Sequence, residues 1–153
     1  MLAASFASYR SNPIAREFWD SAVSHLTDPI DPAFVREFQE STLAQPIPAA
    51  FLETVIKESL KVPARVWQEA FEGFLADDVA PDLARIKTPT LIVWGELDNF
   101  CRKVDQDALL EAIPHARFLV YEKTGHALHW ERPERFAADL VAFVTSGFVL
   151  QGT

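Results

Sequence analysis

Asp98 and His126 are the two side chains of this sequence best placed to move a proton together. Each stands just past a short apolar run. Thr90-Leu91-Ile92-Val93-Trp94 leads into Gly95-Glu96-Leu97-Asp98, and Phe118-Leu119-Val120-Tyr121 leads, after Glu122-Lys123, into Thr124-Gly125-His126. A carboxylate that accepts an imidazole N–H fixes the ring's tautomer and stabilises the imidazolium that forms when the ring takes a proton. Neither residue is diagnostic alone, because an aspartate after Gly-x-x is common in turns and a single loop histidine is ordinarily a polar surface group. The pairing carries the reading. Parallel strands would bring the two loops to the same edge of a sheet, where chemistry is usually placed.

The elements that must position them follow from the apolar periodicity. Leu91 to Trp94 is continuously apolar, which suits a strand buried on both faces of a parallel sheet. Val104 to Ile113 reads as a helix with Ala108, Leu109 and Ala112 on one side and Pro114 closing it. Phe118 to Tyr121 is the second strand. Pro133 opens a last helix whose apolar face is Phe136, Ala137, Leu140, Val141 and Val144, with Gly147 suited to its stop. This β-α-β-α order requires parallel, right-handed pairing. No third strand is evident. A doubly buried strand needs neighbours on both edges, so a missing portion or a partner is expected.

Upstream, to about Asp78, the chain reads as helices. Asp31-Pro32 pairs an N-cap with proline at the first helical position. Phe34, Val35, Phe38 and Leu43 follow at helical spacing, then Phe51, Leu52, Val55, Ile56 and Leu60. Val66, Trp67, Ala70, Phe71, Phe74 and Leu75 form a third stripe, and a weaker helix crosses Ala15 to Leu26. Such stripes are ordinarily core. Trp67, Phe71 and Phe74 fit core packing or an apolar face over a substrate. Pro81 to Thr88 is a connector with room for one helical turn.

Composition excludes several classes. The chain has 153 residues, 49% of them hydrophobic, which suffices for a core within one domain-sized unit. A net charge of −8 argues against nucleic acid, which wants a basic stripe. One cysteine precludes an intrachain disulfide and fits a reducing compartment, and no apolar run approaches the ~20 residues of a membrane span. The start, Met1 to Ala7, is short for a signal peptide and lacks a basic region, so a cytoplasmic location is expected. His126 and His129 are three apart, but no carboxylate pattern completes a zinc site. No metal or other cofactor is expected. Cys101 fits a small half-buried side chain beside the loop better than a nucleophile.

Trp94-Gly95-Glu96-Leu97-Asp98 and the run Gly125-His126-Ala127-Leu128-His129-Trp130-Glu131-Arg132-Pro133-Glu134 resemble the two C-terminal motifs of the α/β-hydrolase family. The stretch Ala108 to Ala116 and the helix Phe136 to Val144 are similar to the elements around them. The resemblance covers about Leu83 to Val144. It implies that Asp98 is the triad acid and His126 the triad base; beside them, Phe100 is a substrate-side candidate, and His129 and Trp130 fit the substrate side and surface packing of the loop equally. It also implies a helical cap at 1–80 and the C-terminal part of the hydrolase core at 81–153, an α/β fold with two parallel strands and flanking helices.

The family's nucleophile sits in a G-x-S-x-G elbow ahead of the acid and histidine. This chain has five glycines, the first at Gly73, so every serine before it lacks that frame. The oxyanion-hole loop is absent as well. The implied reading is an ester-type hydrolase of small molecules, with acid and base here, the attacking group elsewhere, and no triad activity from the chain alone. A rival reading is a non-catalytic module in which a second copy, as a homodimer, covers the exposed strand edges.

Overall fold

In the computed structural model, which describes residues 1–10 and 12–145, three parallel strands form one sheet: β1 (Leu2–Ala3), β2 (Leu91–Gly95) and β3 (Arg117–Tyr121). The middle strand is β2. Its register runs from Leu91 opposite Arg117 to Gly95 opposite Tyr121, with Ile92 and Val93 opposite Leu2 and Ala3 on the other side. All five residues of β2 are buried, as its unbroken apolar run implies. Side-chain alternation sends Ile92 to one face, with Ala7, Leu83, Leu109 and Ile113. Leu91 and Val93 go to the other, with Tyr121 and Leu128.

The strand β1 corrects the expectation of two strands. It is two residues long, too short for any alternation to show. Its place is set by its partner: the Ala4 N–H donates to the Val93 carbonyl at 3.0 Å. Residues 2 and 3, which fall within the helical division expected for 1–80, therefore lie in the sheet. The second predicted strand is present. Of β3, Tyr121 is buried while Arg117 and Val120 are exposed, as suits a strand at the edge of the sheet.

The helices before β2 match the apolar stripes. Helix α1 (Pro13–Ser21) is capped by Asn12, whose Oδ1 accepts from the Ile14 and Ala15 N–H groups, and a 3-10 turn (Val23–His25) follows. Helix α2 (Pro32–Ser41) is capped by Asp31 as its sequence predicts. Helices α3 (Ala49–Ser59) and α4 (Ala64–Ala76) come next, and α4 borrows its cap from Asp28, which accepts from the Ala64 N–H at 2.9 Å. Ile30, Val35, Ile56 and Ala64 bury the seam between α2, α3 and α4. One turn, α5 (Ala80–Leu83), fills the connector.

After β2 come α6 (Lys103–Ala112), a short α7 (Leu128–Glu131) and α8 (Pro133–Thr145). The predicted apolar face of α8 is largely uncovered. Val141 is 60% and Val144 70% exposed, whereas Phe136 packs against the β2–β3 face. The helix is held there in part by polar contacts: Tyr121 donates to Asp139 at 2.6 Å, and the Arg135 guanidinium lies 3.9 Å from the Tyr121 ring centre. Gly147, the predicted stop, lies outside the described residues. No described helix is long and apolar enough to cross a membrane.

Candidate active site

The loops after β2 and β3 are forced together by two glycines. A Cβ on Gly95 would stand 2.1 Å from the Gly125 carbonyl oxygen and 2.5 Å from that of Thr124. A Cβ on Gly125 would meet the Ala44 nitrogen at 2.7 Å and the Thr42 oxygen at 2.8 Å. Hydrogen bonds lock the approach: Leu97 N–H donates to Thr124 O at 2.9 Å, and Glu96 N–H to Tyr121 O at 3.0 Å. The histidine loop is then stitched to the end of α2. Glu131 Oε1 accepts from the Gly125 and Ala44 N–H groups, and Ala127 N–H donates to Thr42 O. Glu131 is thus a support that sequence reasoning quoted within a motif but gave no task.

Within this frame Asp98 and His126 meet. The Asp98 side chain is fully buried; Oδ1 accepts from the Phe100 and Cys101 N–H groups at 2.8 and 2.9 Å, which explains the tight turn. Oδ2 lies 3.0 Å from His126 Nδ1. A carboxylate can only accept, so the imidazole proton sits on Nδ1 and the lone pair is left on Nε2. The His126 side chain is 34% exposed, so the ring borders solvent while its partner does not.

The other predicted site residues divide. Phe100 stands with the pair, its ring centre 5.2 Å from that of His126. Trp130 instead meets Phe51 of α3 edge-on at 5.9 Å, and His129 leans on Trp130 and Phe136. Partial burial, with the His126 charge second, lowers the His129 pKa from its usual value.

Cys101 is completely buried, and its thiol donates to the Ala4 carbonyl at 3.1 Å. The Tyr9 hydroxyl donates to Phe100 O at 2.5 Å and lies 3.5 Å from Cys101 Sγ, tying β1's continuation to the aspartate turn. Burial pushes the Cys101 thiol up to about 12 and the Tyr9 hydroxyl higher still. Asp98, Cys101 and His126 have ligating atoms within 4.8 Å of one another. The atoms that face one another are already engaged: Asp98 accepts from His126 Nδ1 and from backbone, the Cys101 thiol donates to the Ala4 carbonyl, and a protonated thiol is a poor metal ligand. The thiol should therefore resist alkylation: at pH 8, iodoacetamide should label the native chain at least about a thousand-fold more slowly than the urea-unfolded chain. Comparable rates, read by mass spectrometry, would contradict the buried placement.

Beside the Asp98 turn lies a cavity of about 420 Å³. Its walls include Phe18 of α1, Phe34 and Phe38 of α2, Phe71 of α4, and Phe100. Phe71 therefore serves an opening, whereas Trp67 packs beside Ile30, Val35, Ile56 and Ala64, and Phe74 is 48% exposed. The sequence stripes contained Phe34, Phe38 and Phe71 but could not show that these rings converge with Phe18 and Phe100. The (i, i+4) spacing of Phe34 and Phe38 was the one available signal.

A model of the alpha/beta hydrolase family matches residues 1–139. The chain is 30% identical over 96 residues to a 2-hydroxy-6-oxo-6-phenylhexa-2,4-dienoate hydrolase of Burkholderia cepacia, covering 63% of this chain and 30% of that protein. It is 26% identical over 111 residues to 2-hydroxy-6-oxononadienedioate/2-hydroxy-6-oxononatrienedioate hydrolase 1 of Dechloromonas aromatica, covering 71% and 37% respectively. A solved hydrolase from Pseudomonas aeruginosa superposes with a TM-score of 0.74 at 20% identity, over 94% of this chain and 54% of the other, a likeness of fold. The matches span about a third of the length of these two curated relatives.

Proposed function

This chain belongs to the alpha/beta hydrolase family, and from that premise we propose that it carries the acid and base of a hydrolytic triad, Asp98 and His126, acting on a small carbonyl substrate. The observation that supports this most is the 3.0 Å contact from the fully buried Asp98 carboxylate to Nδ1 of the partly exposed His126. It leaves Nε2 free to take a proton from an attacking hydroxyl while Asp98 steadies the imidazolium. The attacking group is not framed by glycines anywhere in the 153 residues, so in this reading it comes from a segment outside them. The substrate class proposed is an ester-like bond or, as the two curated relatives support, a hydroxy-oxo-dienoate. The helices of residues 13–76 act as the cap, a role favoured by Phe38 of α2 resting 6.2 Å from Phe100.

The isolated chain tests this reading with p-nitrophenyl acetate. Its rate should not exceed that of its own His126→Ala variant, since the base has nothing to deprotonate. Turnover well above buffer in both proteins would mean chemistry that does not pass through His126 and would remove the assignment.

A second reading, self-association without catalysis, is favoured by the edge positions of β1 and β3 in the three-stranded sheet and by exposed Val141 and Val144. A tight dimer that dissociates on dilution would support it; a monomer at all concentrations would not.

A further inference from the structure

We propose that the aromatic cavity beside the Asp98 turn binds an uncharged aryl or alkyl arm of the substrate, and that Glu37 at its rim selects against arms ending in a carboxylate. The pocket's place in catalysis rests on the hydrolase reading; its ligand preference does not. Size is the first argument. Benzene fills a cavity of roughly 150 Å³, so about 420 Å³ accepts a phenyl ring with a short chain attached. Shape is the second. Phe18 meets Phe38 at 5.8 Å nearly parallel and Phe71 at 5.6 Å edge-on, so a guest ring finds both faces and edges to pack against. Position is the third. Phe100 is shared between the cavity and His126, so an arm seated here would have its reacting end beside the imidazole.

Charge decides the class. Among the described residues, no lysine or arginine lines the cavity, and Glu37 supplies its one formal charge. Two of the hydroxyls that line it are already committed, which leaves only the neutral side chains of Asn12, Ser21 and Asn99 to offer an anion a donor. The Tyr9 hydroxyl donates to Phe100 O, and the Ser41 hydroxyl donates to Phe38 O at 2.7 Å. Asn12 Oδ1 caps α1 and in any case repels an anion. A carboxylate entering the cavity would lose water, gain no cation, and face Glu37. A neutral ketone or ester of the same shape bears none of those costs.

Two probes that share a phenethyl arm separate these effects: benzylacetone, which ends in an acetyl group, and hydrocinnamate, which ends in a carboxylate. Binding to the isolated chain is followed by NMR titration with the phenylalanine rings labelled. Benzylacetone should perturb Phe18, Phe38, Phe71 and Phe100 and bind at least about fivefold tighter than hydrocinnamate at low salt. In Glu37→Gln, a change at an exposed position, the gap should shrink to within about twofold, and salt should shrink it in the wild type. Equal affinity for the two probes, an unchanged gap in Glu37→Gln, or perturbations confined to other rings would overturn the proposal. Because no turnover is involved, absent binding would sink the pocket and leave the acid–base pair standing. Binding that persists after the His126 assignment has failed would do the reverse.

Discussion

Gly95→Ala should destabilise the chain by about 3 kcal/mol or more, seen as a large fall in urea midpoint with loss of cooperative melting at ordinary temperature. The added methyl would lie 2.1 Å from the Gly125 carbonyl oxygen and 2.5 Å from that of Thr124, and both are backbone atoms with no rotamer to give way. Relief requires the two loops to part by an ångström or more. That breaks the Leu97–Thr124 and Glu96–Tyr121 hydrogen bonds and pulls the histidine loop off Asp98. Gly73→Ala is the matching control. It sits inside α4 with nothing within 4 Å of the new methyl, so it should stabilise by about 0.5–1 kcal/mol. The same substitution at two glycines thus has opposite signs, and the difference is contact, not propensity.

Under the proposed triad reading, Asp98→Asn should lower turnover of a full-length protein that carries this chain about 10⁴-fold while leaving its fold intact. An asparagine oxygen can still accept from the Phe100 and Cys101 N–H groups, so the turn is kept. The nitrogen that replaces Oδ2 would donate to His126 Nδ1, where the carboxylate had accepted. The imidazole proton would then move to Nε2, the position that must be bare to act as a base. A steady-state assay on substrate together with a circular dichroism melt separates this from simple unfolding. Wild-type turnover in the variant would show that Asp98 has no part in the reaction.

The loops that meet at the site were legible because each combines an unbroken apolar run with a glycine-containing turn. Local pattern places such a loop at a strand end, and the rule of parallel crossover brings two of them together. What the pattern could not supply was anything decided at a distance. Leu2–Ala3 becomes a strand because Ile92 and Val93 present a free edge to it, not through its own residues. The stripe along α8 says which face is apolar, but whether anything covers that face is a property of the neighbours, and Val141 and Val144 are bare. For Trp130 and His129 the sequence left a substrate-side place and loop packing equally open, and the contacts their rings make are decided by a short helical turn, Leu128–Glu131, that sets Trp130 against Phe51 of α3 and His129 beside Phe136 of α8. The cavity was out of reach for the same reason, since its rings come from α1, α2, α4 and the turn after β2.

The state of His126 tests the central claim most directly. With the ring nitrogens labelled, a long-range proton–nitrogen correlation spectrum of the chain above the histidine pKa reports which nitrogen holds the proton. Asp98 opposite Nδ1 at 3.0 Å predicts a proton on Nδ1 and a bare Nε2, reversed in Asp98→Asn. A proton on Nε2 in the wild type, or a spectrum indifferent to Asp98→Asn, would contradict it.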